Sequence, residues 1–244
     1  MKIKEGANAQ NRPITVCLSR DYYRMVAGKV IWTVYNLADP LVQRPLTSWP
    51  IMGVIALLGY IALLLSRQVS VPDLWSKSVP NSRRFTLPVI LGIVFGLVQI
   101  GLVIVQKIRV PMVPFPLSLP VYITVGILSE LIFHFIPLVG LMFSISLVLG
   151  EGKSRQIAVL VGVILISLWE PVLQIMMMLR MDIIPNLIAG ILPFLLVRVA
   201  NLLPLLLLKK YGLLAAVSWR LADYLVWHIV WGAMDPSLYA TLGM

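Results

Sequence analysis

Glu130 and His134 stand four residues apart in a long apolar stretch that runs from Arg109 to Glu151 with no other charged side chain. A carboxylate there sits at the depth of lipid tails, where an ionisable group is expensive and marks either a functional site or a paired structural ion. On a helix the spacing puts both side chains on one face, one turn apart. Three further places set polar groups into apolar runs: Trp169-Glu170-Pro171, Arg198 with Asn201, and Arg220-Leu-Ala-Asp223-Tyr224-Leu-Val-Trp-His228. In the last of these Arg220 and Tyr224 share a helical face, Asp223 lies close to it, and His228 is farther round.

If these groups converge, the chemistry they support is limited. Buried carboxylates with imidazoles can activate a water molecule, burial suiting a carboxyl to general-base work. Arg220, Asn201 or a histidine can then hold a developing oxyanion. Glu and His could also ligate a hard or borderline metal, or relay protons. The structural alternative is a polar clamp between helices: Glu130–His134 across an interface, Glu170 accepting from a neighbouring arginine, Arg198 snorkelling or paired with Glu170 or Glu130, and Arg220–Asp223 as an intrahelical pair. No Gly-rich phosphate loop, no Gly-x-Ser-x-Gly elbow and no His-Glu-x-x-His occurs, and Met176-Met177-Met178 reads as packing. Neither a cofactor nor a metal is expected.

The elements that must position these residues are helices in a membrane. The composition is 59% hydrophobic and 12% charged, with a mean hydropathy of +0.93, far from a soluble domain's usual quarter of charged residues. Apolar runs cover Ile51–Leu65, extended from about Leu46, then Leu87–Val105, Leu117–Gly150, Ile157–Leu179, Ile183–Leu208 and Leu213–Gly232. These predict an all-α, multi-pass membrane protein with about six or seven spans of roughly 20 residues each. Solidly apolar runs, rather than alternating ones, disfavour a β-barrel.

The expected organisation is a polar or interfacial N-terminal segment over 1–45, a transmembrane domain over 46–234 and a short tail over 235–244. Within the first segment Arg24–Val42 could lie in the interface as an amphipathic helix, and its polar start argues against a cleaved signal peptide. Arg67–Arg84 reads as a loop, and Arg109–Pro120, with four prolines, as a non-helical connection. Leu117–Gly150 is too long for one straight span, and Pro137 should bend or end the Glu130 helix. The net charge of +10 is assigned to loops facing anionic headgroups and the cytoplasm rather than to nucleic acid. Seven basic residues in the first 45 place the N-terminus inside, although the loop Arg67–Arg84 is basic as well. Cys17 is the single cysteine, which excludes an intrachain disulfide.

Three segments in order carry a resemblance. Ser129-Glu130-Leu-Ile-Phe-His134 looks like a Glu-Glu-x-x-x-Arg motif, Trp169-Glu-Pro-Val-Leu173 stands where a Phe-x-x-x-His motif belongs, and Gly212-Leu-Leu-Ala-Ala216-Val-Ser-Trp-Arg220-Leu-Ala-Asp223-Tyr224 is similar to a late His-x-x-x-Asn/Asp helix. Across about residues 118–232 the chain thus resembles the CPBP family, the membrane-embedded CAAX-processing and bacteriocin-processing endopeptidases. The resemblance implies that fold, a glutamate-activated water, peptide or membrane-protein substrates, and a bacterial cytoplasmic membrane.

The departures fall on the chemistry. Ser129 occupies the position of the first motif glutamate, His134 that of the arginine, Leu173 that of the second-motif histidine, and Arg220 that of the third, with Tyr224 four residues on. Either Glu130 acts as base with His134 assisting and Arg220, Asp223 or His228 stabilising the intermediate, or the chain is a catalytically silent relative. The alternative is a non-enzymatic membrane subunit, immunity-like protein or scaffold whose buried ions pair helices. A proton-coupled carrier is a third reading, without visible repeat symmetry. A wet cavity reaching Glu130 and a histidine would mark the enzyme; a dry Glu130 bonded to Arg198 or Arg220 would mark the scaffold.

Overall fold

The computed structural model describes residues 49–106, 112–180 and 190–234. Their regular structure is entirely helical. Six helices follow in chain order: α1 (Trp49–Ser66), α2 (Leu87–Gln106, led in by a π-helical turn Ser82–Thr86), α3 (Ser118–Val148), α4 (Lys153–Arg180), α5 (Ile191–Tyr211) and α6 (Leu213–Ala233). The last five are long and apolar enough to cross a membrane, which makes this an integral membrane protein. With 18 residues, α1 reaches about 27 Å, just short of a hydrocarbon core of about 30 Å. The segment Arg24–Val42, Cys17, the start of the Arg109–Pro120 connection and the tail 235–244 lie outside the described residues.

The structure narrows one expectation about proline and corrects another. The stretch from Ser118 to Val148 is one helical run of 31 residues, and Pro137 does not end it. The reason is a π-helical turn over Glu130–Phe135, closed by the Ile136 N–H donating to the Leu131 carbonyl. Pro137 has no N–H, and its ring would press on the carbonyl one turn back in a regular helix. A widened turn just before it accommodates that, as π-bulges do. Pro120 in turn belongs to the first turn of α3 and not to the connection, at a position whose N–H has no intrahelical acceptor anyway.

Lipid tails are as apolar as leucine, so burial of apolar side chains does not by itself drive these helices together. Close packing and buried polar contacts must do so. Phe135, Leu138, Val139, Val163, Leu205, Leu208 and Ala216 form a central cluster joining α3, α4, α5 and α6. The outward faces, including Leu57, Leu97, Leu147 and Leu165, are exposed and apolar, as lipid contact requires. Two glycines let α2 approach α6 closely. A Cβ added at Gly92 would collide with the Trp219 carbonyl and lie 2.9 Å from the Ala222 Cβ. One added at Gly96 would lie 2.8 Å from the Val226 Cβ. Glycines at four-residue spacing thus let the α2 backbone rest on α6.

The α5–α6 hairpin turns on Gly212, at φ 87°, where a side chain would be strained. Its N–H closes α5 on the Leu208 carbonyl at 2.9 Å. The same glycine abuts the Pro72 carbonyl, so the α1–α2 loop and the α5–α6 turn lie at one end of the bundle.

Candidate functional site

The first three polar places named from the sequence contribute to one cluster in the bundle core, and Arg220 is its hub. In α3, the π-helical turn presents Glu130 and His134 inward, both fully buried. His134 Nδ1 donates to Glu130 Oε2 at 2.9 Å, so the expected pairing one turn apart forms. Arg220 crosses from α6 and donates Nε to Glu130 Oε1 at 2.6 Å. Its Nη2 lies 3.5 Å from Glu170 Oε2 on α4 and 3.3 Å from Asn201 Oδ1 on α5. Glu170 Oε1 accepts from Gln174 at 2.8 Å, and the Asn201 amide donates back to the Val197 carbonyl at 2.7 Å. One guanidinium therefore ties four helices together.

Two expected pairings do not form. Arg220 is committed to Glu130, Glu170 and Asn201, so the intrahelical Arg220–Asp223 pair is absent. Asp223 turns to α2, accepting from Gln99 Nε2 at 2.6 Å. Arg198, only half-buried, takes neither Glu130 nor Glu170; the hub arginine is Arg220. Gln99 does not show in a pattern of charges, since α2 carries none. A lone amide within an otherwise apolar span was the available signal.

His228 belongs to a second, aromatic cluster. Its ring stacks on Tyr122 at 4.1 Å and meets Tyr224 edge-on at 4.7 Å. Its Nδ1 lies 3.3 Å from Met112 Sδ. Tyr224 stands between the clusters, its ring also 5.7 Å from the Arg220 guanidinium carbon. The structure brings Glu130, His134 and Arg220 together, sets Asp223 against α2, and leaves His228 apart.

The geometry constrains the chemistry. A general base must reach its water at about 2.6–3.2 Å. Glu130 is 0% exposed, so no water-sized sphere touches it, and both its oxygens are already engaged by cationic or N–H donors. Arg220, which could serve an oxyanion, is spent on two carboxylates. His134 Nε2 is buried without a hydrogen-bond partner, an arrangement that costs about 1–3 kcal/mol. Among the described residues no three His, Cys, Asp or Glu side chains are grouped to hold a metal ion. Comparison of the chain with models of known families, with curated proteins and with solved structures finds no match.

Proposed function

We propose that this integral membrane protein is a catalytically silent CPBP-like protein of the bacterial cytoplasmic membrane, serving as a non-enzymatic membrane subunit or scaffold. The single observation that carries the reading is Glu130, fully buried and bonded to Arg220 at 2.6 Å. The three segments that resemble the endopeptidase motifs meet in space through Glu130, Glu170 and Arg220, which supports a shared architecture. The replacement of a motif histidine by Arg220 supplies a permanent cation where the reaction would need a titrating group. That cation neutralises carboxylates instead of leaving one free to activate water. The residues then act as a helix clamp, and function passes through partners rather than through hydrolysis.

A second reading, hydrolysis in an opened conformation, is favoured by one feature, the unpartnered Nε2 of His134. Both readings meet in one experiment. Wild type and Glu130→Gln are expressed to equal abundance in the same membranes, and newly formed peptide N-termini are compared by mass spectrometry. Under the scaffold reading the two sets are the same and the variant differs only in stability. A cleavage product present with wild type and absent with Glu130→Gln overturns it.

A further inference from the structure

The loop between α1 and α2 holds a buried cation that no carboxylate among the described residues neutralises. Arg84 is 2% exposed. Its Nη1 donates to Asn81 Oδ1 at 2.9 Å and its Nη2 to the Ser76 carbonyl at 2.6 Å. The guanidinium carbon lies 4.4 Å over the Trp75 ring, and Nε has no partner. All of these neighbours are neutral. The loop's one acid, Asp73, is taken by Arg67 at 3.1 Å, and among the described residues no carboxylate pairs with Arg84. A buried guanidinium is ordinarily matched by an anion.

The surroundings indicate where that anion comes from. Trp75 is 63% exposed and Leu74 is exposed beside it, at the head of a membrane-spanning helix, the depth at which tryptophan settles among headgroups. Lys77 and Arg83 are exposed on the same loop, with Ser78, Asn81 and Ser82 between them. Through Gly212 this loop shares its end of the bundle with Lys209 and Lys210, and the alternation of α2 to α6 brings Lys153 and Arg155 there too. Such a concentration of basic residues suits this end of the bundle to anionic headgroups.

We propose that the loop Arg67–Arg84 binds the phosphate group of an anionic phospholipid, with Lys77 and Arg83 on the phosphate oxygens, Arg84 supplying charge beneath them, and Trp75 anchored beside the headgroup. Lysine and arginine match phosphate as point charge and as fork respectively.

The test is thermal unfolding of the full chain in neutral detergent with added phosphatidylglycerol, phosphatidylcholine or inorganic phosphate. Saturating phosphatidylglycerol should raise Tm by about 5–10 °C, while phosphatidylcholine and inorganic phosphate should not. The exposed double variant Lys77→Gln/Arg83→Gln keeps the fold and should lose the rise. Lys209→Gln/Lys210→Gln, at the same membrane face, should retain it. An undiminished rise in the Lys77/Arg83 variant means diffuse charge attraction and overturns the proposal. A rise with phosphatidylcholine does the same. A rise with inorganic phosphate alone overturns the lipid as occupant in favour of a soluble anion.

Discussion

Replacing Arg220 by methionine is the most direct perturbation of the core. It removes contacts of 2.6 Å to Glu130, 3.5 Å to Glu170 and 3.3 Å to Asn201. Methionine fills much of the volume, so the loss is electrostatic. Two carboxylates are left facing each other on α3 and α4, one of them 0% exposed. Breaking a buried ion pair from one side costs about 3–5 kcal/mol, because a charge is stranded without its partner. At about 2–4 °C per kcal/mol for a chain of this size, Tm should fall by roughly 6–20 °C. Adding Glu130→Gln and Glu170→Gln to the same chain removes the stranded charges and should restore most of that fall. The assay is unfolding in mild detergent followed by far-UV circular dichroism, for wild type, single and triple variants. If Arg220→Met unfolds within about 0.5 kcal/mol of wild type, or the triple variant is no more stable than the single one, the clamp argument is wrong.

Other outcomes follow from the same geometry. Glu130→Gln keeps an oxygen for Arg220, and its amide can donate to His134 once the imidazole carries its proton on Nε2 and Nδ1 accepts, so it should cost less than Arg220→Met, about 1–2 kcal/mol, by the same unfolding assay. Gln99→Leu strands the Asp223 carboxylate and should cost about 1–3 kcal/mol, and a double-mutant cycle with Asp223→Asn should reveal coupling between the two sites. Gly92→Leu places a side chain where the Trp219 carbonyl already sits; α2 must move off α6, lowering stability by about 1–3 kcal/mol, whereas Gly101→Leu, which meets nothing within 4 Å, should be near neutral. Leu138→Ala, fully buried in the central cluster, should cost about 2–5 kcal/mol.

The sequence by itself determined the features that depend on residues near one another in the chain. Apolar runs set the helices and their membrane setting, since a segment's transfer into lipid depends on its own composition. The Glu130–His134 contact was legible too, because a one-turn spacing brings two side chains together whatever the rest of the fold does. The tertiary structure decided which charges meet. Arg220 had a nearby acid in Asp223 and long-range acids in Glu130 and Glu170, and the α3, α4 and α6 packing selected the latter two, 90 and 50 residues away. Gly92 and Gly96 brought α2 close enough for Gln99 to satisfy Asp223 across 124 residues of sequence. In a medium without water each buried polar group must find a partner inside the protein. Which partner it finds follows from how the helix faces pack, and helical period alone does not specify that.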